Sequence, residues 1–396
     1  MNIWYFSMNP RTSSNDNVDA TSIQIMETVL ALRAHGHQVH KYLYGDDIRR
    51  TESILRQTSQ NISEKNRIFR GIKPLLRDMY ELYRDTQDIH FVGPIFRDNS
   101  IDLIYERLTQ NKTTVSVCAQ KYEIPLIVQS DAPAEDRRDW GAPLFFLTKR
   151  LENTVLKQAV AITVVSTPLK KYYERTGIDA QKIFVIPNGI NQEFFSPENV
   201  SRDVRSELGL DDKVIIGFVG TIVFYHGIEL FSTLARNCRS SGDDVHFMIV
   251  GADQVYGQGI DQLRSTLDRE QLSNMFTFTG PIPNTEVPNY IAAMDICLLP
   301  RFMWYGSPMK IFEYAAMRKA IVAPDQENIR DVLTHGETAI LVEPENPDKL
   351  VQAVQELVRD ERLRDQLGKA ARERILSRHT WNKNAERILE IYQQII

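Results

Sequence analysis

Lys310 and Glu313, three residues apart in Gly306-Ser307-Pro308-Met309-Lys310-Ile311-Phe312-Glu313, are the residues of this 396-residue chain best placed to do chemistry. An apolar strand ends at Pro300, a loop with glycine and proline follows, and a helix is expected to begin near Pro308, whose missing N–H suits a first helical turn. The first N–H groups of a helix lack intrahelical acceptors and carry the positive end of its dipole, so such a start is an anion site. A lysine is unfavourable there unless an anion meets it, and Lys310 supplies a mobile point charge suited to a diphosphate. Glu313, one turn later on the same side, could accept two hydroxyl hydrogen bonds from a ribose. The blander alternative is a solvated charge pair on a helix start.

The elements needed to position these residues are legible as alternating strands and helices. In the first half, strands are expected at Ile3 to Phe6, Val39 to Tyr44, Ile101 to Tyr105, Pro125 to Val128, Ala161 to Val165 and Ile183 to Ile186, with a helix over Ile23 to Leu32 that ends at Gly36. After Pro187-Asn188-Gly189 a polar, turn-rich stretch runs through Pro197 to Asp203, and the alternation restarts. The second half gives strands at Val214 to Val219, Val245 to Val250, Phe276 to Phe278, Ile296 to Leu299, Ala320 to Val322 and Ala339 to Val342, then an almost wholly helical tail from Pro347. Short apolar strands alternating with helices argue for α/β architecture with parallel sheets covered on both faces. The expectation is two Rossmann-like domains facing each other across a cleft: an acceptor domain over 1–190, a donor domain over 191–375, and a C-terminal helix over 376–396 crossing back to the first domain. Open α/β sheets bind ligands at the carboxyl ends of their strands.

Composition narrows the classes. A net charge of −5 gives no electrostatic reason to expect nucleic acid. Cys118, Cys238 and Cys297 are far apart in apolar stretches and read as reduced core cysteines, neither a disulfide framework nor a zinc site. No apolar run reaches membrane-spanning length, and Met1 to Ser7 lacks the parts of a signal peptide, so a cytoplasmic location is expected.

The Gly306–Glu313 segment resembles the donor site of glycosyltransferase family four, a large GT-B family of retaining enzymes, and in particular a subgroup with Ser-Pro-Met-Lys followed by Phe-Glu-Tyr. Further landmarks agree in order and spacing: Ile104-Tyr105-Glu106-Arg107, Val165-Ser166, Ile186-Pro187-Asn188-Gly189, Gly217-Phe218-Val219-Gly220, Val250-Gly251, Thr279-Gly280 and Tyr290 to Asp295. The resemblance implies a hexosyltransferase that moves a sugar from a nucleotide diphosphate sugar to an acceptor hydroxyl with retention. It implies that Glu313 binds the ribose, that the amides of Ser307 and Met309 and the Lys310 side chain hold the diphosphate, and that Ile282, after Gly280, lies near the base. Gly220 and Thr221 would form the turn where backbone approaches the phosphate. UDP, the commonest nucleotide in the family, is the expected donor nucleotide.

The chain departs from the family in three places. Tyr305 stands where a second glutamate often contacts the donor sugar. Thr221 and His226 replace a common arginine and lysine, so His226 is read either as a phosphate donor or as a helix-start residue. Asn15-Asp16-Asn17 replaces paired glycines near the N-terminus. Asp131 follows a strand where the family often carries His-Asp, and could orient a hydroxyl or cap the next loop. Arg107, Arg137 and Arg138 could meet an anionic acceptor, the blander account being solvated surface charge. No Asp-x-Asp pair occurs, so no metal requirement is expected. The acceptor could be a glycan, a lipid-linked sugar or a small molecule. Residues 62–84, basic and partly amphipathic with Pro74 interrupting the helix, could touch a membrane surface or pack on the first domain. A non-hydrolysing sugar-nucleotide epimerase and a catalytically silent nucleotide-sugar-binding protein are the alternatives, the latter suggested by Tyr305 and Thr221.

Overall fold

A computed structural model describes residues 1–9, 12, 20–46, 73–136, 143–253 and 259–395. The chain forms two compact units: Met1–Ile186 together with Asn384–Ile396, and Pro187–Lys383. Each is built on a six-stranded sheet in which every neighbouring pair is parallel. The protein is thus α/β with two Rossmann-like domains.

In the first unit the strands are β1 (Asn2–Ser7), β2 (Gln38–Leu43), β3 (Leu103–Arg107), β4 (Leu126–Ser130), β5 (Ala161–Val164) and β6 (Ile183–Val185), in spatial order β2-β1-β3-β4-β5-β6. The expected strands all form. Two of them run further toward their carboxyl ends than their apolar cores suggest, because β3 and β4 stay paired through Arg107 and Gln129. Arg107 is thereby a strand residue with a side chain only 13% exposed, which corrects its reading as solvated surface charge.

The helix Lys73–Asp98 is uninterrupted at Pro74, which falls in its first turn where a missing N–H costs nothing; the proline inside it is Pro94. Its burial is inverted. Asp78, Asp85 and Asp88 point inward with Val92 and Phe96, while Leu76, Met79, Tyr80, Tyr83 and Phe91 face out. The inward carboxylates have partners: Asp85 caps the helix Thr114–Lys121 by accepting from Thr113 N at 2.9 Å, and Asp88 accepts from Tyr44 Oη at 2.8 Å and Lys112 Nζ at 2.5 Å. Residues 62–72, Asn15-Asp16-Asn17, Arg137 and Arg138 lie outside the described residues.

In the second unit the strands are β7 (Val214–Val219), β8 (Val245–Val250), β9 (Phe276–Gly280), β10 (Ile296–Leu298), β11 (Ala320–Pro324) and β12 (Ile340–Val342), in the order β12-β11-β10-β7-β8-β9. The period of two splits their side chains between two cores. Ile215, Val219, Met248, Cys297 and Ile321 pack with Ile311, Phe312 and Ala315 of the helix Met309–Ala316, while Ile216, Phe218, Phe247, Leu298 and Val322 pack on the opposite face. Cys118, Cys238 and Cys297 are free and buried, as their apolar settings predict. The order reverses between β7 and β10, so the loops leaving these two strands diverge and open a crevice at their carboxyl ends.

Candidate active site

Both loops that leave the reversal point carry residues singled out by the sequence. After β7 comes Gly220-Thr221, then the single 3₁₀ turn Phe224–His226; after β10 comes the loop to Pro308 and the helix Met309–Ala316. Pro308 is the N-cap residue of that helix, one position before the first-turn place expected for it. The helix is tied to β7 by Tyr314, whose hydroxyl accepts from Val219 N at 2.9 Å.

Glycines clear the floor of the crevice. Gly220 has φ +129°, and a Cβ there would lie 3.4 Å from Lys310 Cε. Gly251, at the end of β8 with φ +125°, has no room for a side chain, since its Cβ would come 2.2 Å from Gly220 O. Gly251 N donates to Gly280 O at 3.0 Å, so the carboxyl ends of β7, β8 and β9 meet as bare backbone. Ile282, two residues past Gly280, is half-buried against the core of the unit.

Lys310 reaches over this floor. Its Nζ lies 3.2 Å from His226 Nε2 and 5.1 Å from the centroid of the Phe218 ring. Desolvation brings the ammonium down to about 8 against an upward pull from Glu313, and desolvation pushes the Glu313 carboxyl up to about 7 against a downward pull from Lys310. His226 is buried, and desolvation with the nearby Lys310 charge drives it down to about 2, so its ring is neutral; Nδ1 contacts Thr221 O at 2.9 Å.

The loop between β10 and the helix is pinned by three side chains. Asn328 Nδ2 donates to Met303 O at 2.9 Å and Gly306 O at 2.8 Å, and Gln326 Nε2 donates to Phe302 O at 3.3 Å. Asn188 closes the other side: its N donates to Ser307 Oγ at 3.1 Å and its Nδ2 to Ser307 O at 2.6 Å. Asn188 stands in a landmark the sequence supplied, but nothing in the sequence around Asn328 marks it. Tyr305 is buried, its hydroxyl donating to Met303 Sδ at 2.9 Å, and a Cβ on Gly306 would meet Phe302 Cε1 at 2.8 Å.

Gly220, Thr221, His226, Lys310 and Glu313 are thus brought together in the second unit, with Tyr305, Gly306, Ser307 and Met309 in the loop and first turn beside them. Asp131 belongs to the first unit. It sits at the carboxyl end of β4, ion-paired with Arg107 and accepting from Gln129 Nε2 at 2.9 Å, and Arg107 also donates to Gln24 Oε1. Arg107, read from the sequence as a residue that could meet an anionic acceptor, instead holds the only guanidinium contact to Asp131 found among the described residues.

The family model described as glycosyltransferase family 4 matches residues 21–194, and that described as glycosyl transferases group 1 matches residues 200–374. The chain belongs to glycosyltransferase family four. Alpha-D-kanosaminyltransferase of Streptomyces kanamyceticus is 23% identical over 253 residues, 63% of this chain and 64% of that protein. Alpha-maltose-1-phosphate synthase of Mycolicibacterium smegmatis is 25% identical over 293 residues, 69% of this chain and 74% of that protein. The chain thus spans a little under two thirds of the first relative's length and about three quarters of the second's. Among solved structures, Anabaena HepE in complex with UDP superposes with a TM-score of 0.73 at 16% identity, covering 100% of both chains. The fold class, GT-B with two Rossmann-like domains, is that of this solved structure.

Proposed function

We propose that the protein transfers a hexose from a nucleotide diphosphate sugar to an acceptor hydroxyl, with retention at the anomeric carbon and without a metal ion. The observation that carries this reading is Lys310 held over the bare backbone of Gly220 at the β7/β10 reversal, one helical turn from Glu313. A departing diphosphate gains negative charge, and an ammonium plus the free N–H groups of a helix start, already in place, offset it as it develops. Glu313 takes the ribose hydroxyls. The leaving phosphate oxygen then accepts the acceptor proton on the same face, so that no dedicated protein base is required. UDP is the nucleotide we propose, in keeping with the UDP bound by HepE. With Tyr305 in place of an acidic residue, the donor sugar is held without a carboxylate at that position.

The test is turnover of UDP-glucose, UDP-N-acetylglucosamine and GDP-mannose against glycan, lipid-linked and small-molecule acceptors, with and without EDTA. An α-linked product from an α donor, formed equally with EDTA, is expected. A β-linked product would overturn retention, and loss of turnover in EDTA would overturn metal independence. A new epimer formed without acceptor would point to epimerase chemistry, and tight nucleotide binding with no turnover to a silent binding protein.

We propose also that the helix Lys73–Asp98 meets an anionic membrane surface. With Asp78, Asp85 and Asp88 turned inward, its outer face carries Leu76, Met79, Tyr80, Tyr83 and Phe91 beside the half-exposed Arg77, a combination suited to the interface of an anionic bilayer. No helix among the described residues is long and apolar enough to cross a membrane. Co-sedimentation with phosphatidylglycerol vesicles at low salt is expected, weakened in Tyr80→Ser/Tyr83→Ser; absence of sedimentation would sink the idea.

A further inference from the structure

The His226 ring is held on every side. Phe302 stacks on it with centroids 6.1 Å apart and planes 8° from parallel, and Phe218 and Tyr225 approach at 5.4 and 4.9 Å. Its two nitrogens face groups of opposite kind. Thr221 O, 2.9 Å from Nδ1, is a carbonyl and can only accept; the Lys310 ammonium, 3.2 Å from Nε2, can only donate. Both contacts demand the same tautomer, with the proton on Nδ1 and the lone pair on Nε2.

We propose that His226 is a positioning residue: its Nε2 accepts one Lys310 N–H, aims the ammonium over Gly220 and keeps it charged. The proposal rests on the donor-site reading of Lys310, and it assigns His226 a role other than donating to phosphate. An ammonium has three N–H bonds. One is fixed by Nε2, the Phe218 ring lies under the charge, and the others remain for oxygen atoms of a diphosphate. Among the described residues, the titratable groups facing Lys310 are Glu313 on its own helix and His226 on the 224–226 turn, while β7 contributes the uncharged Phe218 ring and Gly220 backbone. Burial opposes the charge of Lys310, so the neutral acceptor at Nε2 counts in favour of the ammonium.

The test needs no ligand. Competitive acetylation of lysines across pH, read by mass spectrometry, gives the titration midpoint of Lys310 in the wild-type protein and in variants. Asparagine at 226 can still donate to Thr221 O but is too short to reach Lys310; glutamine can place its amide oxygen near the Nε2 position. In His226→Asn the midpoint should fall by about one pH unit or more, the equivalent of a lost hydrogen bond to a charged group. In His226→Gln it should stay near the wild-type value. An unchanged midpoint in His226→Asn overturns the proposal, and so does an equal fall in both variants, which would make His226 a loop anchor only. A measurement on the unaltered protein stands behind the variants: nitrogen-15 NMR should show Nδ1 protonated and Nε2 unprotonated from pH 6 to pH 8, and the reverse tautomer overturns the proposal. Failure of the donor-site reading has a different signature, an undiminished UDP affinity in Lys310→Ala.

Discussion

Lys310 Cε lies 3.4 Å from where a Cβ on Gly220 would stand. That contact joins a backbone requirement to a charge. Alanine at 220 is strained by φ +129° and also presses on the lysine stem, whereas alanine at Gly242, with φ +72° and nothing within 4 Å, is strained alone. Both variants should lose stability, by about 1–3 kcal/mol each. Only Gly220→Ala should also weaken UDP binding, by about tenfold or more, the equivalent of about 1.4 kcal/mol. Thermal denaturation and titration calorimetry measure the two effects, and equal UDP affinity in both variants would contradict the placement of Lys310 over this glycine.

The pH dependence of nucleotide affinity follows from two groups of opposite sign. Lys310, lowered to about 8, binds a diphosphate as the ammonium, so its contribution is complete well below pH 8 and is lost as pH rises through it. Glu313, raised to about 7, accepts ribose hydroxyls best as the carboxylate, so its contribution is lost as pH falls through 7. UDP affinity should therefore peak between these values, falling by up to about tenfold per pH unit on either side. Lys310→Met should abolish the alkaline limb and Glu313→Gln the acid limb in calorimetric titrations across pH 5.5 to 9.5. A limb that survives its own substitution assigns it to another group.

The sheets were legible because buried parallel strands read as continuous apolar runs, and Ile296 to Leu298 or Val214 to Val219 admit little else. Lys310 and Glu313 were legible because a lysine in a first helical turn conflicts with the local dipole. Three features left no local trace. Arg107 continues a strand beyond its apolar core, and only pairing with β4 buries it. The helix Lys73–Asp98 hides aspartates and shows aromatics, which reverses the rule that apolar periodicity marks the inner face. Asn328 acts through carbonyls more than 20 residues away along the chain, a contact no spacing rule anticipates.

Asn328 offers a test of how far the loop needs bracing. Its amide serves Met303 O and Gly306 O at once, and the residue is 1% exposed, so Asn328→Ala leaves buried carbonyls without their donor. A loss of about 1–3 kcal/mol is expected in chemical denaturation. UDP affinity should fall as well, because Gly306 leads directly into Ser307 and the helix start. A variant that loses stability yet binds UDP like the wild type would show that the 309–316 helix keeps its place without this brace.

Arg107 and Asp131 lie in the first unit, apart in sequence from every residue assigned to nucleotide binding, and this makes their predicted signature distinct. Arg107→Met removes the guanidinium but keeps much of its stem, leaving the partly buried Asp131 with Gln129 Nε2 as its described hydrogen-bond donor. Without its cation the Asp131 carboxylate loses the group that fixes its position, so an acceptor hydroxyl bound there would be less well oriented. Turnover should drop by about tenfold or more while UDP affinity stays within about twofold, with part of the rate recovered in Arg107→Lys. Asp131→Asn should match the turnover loss without adding to it in the double variant, because the two side chains act as one unit. Steady-state kinetics alongside UDP titrations decide the matter: fully additive losses, or a loss of UDP affinity in Arg107→Met, would remove Asp131 from the acceptor side of the reaction.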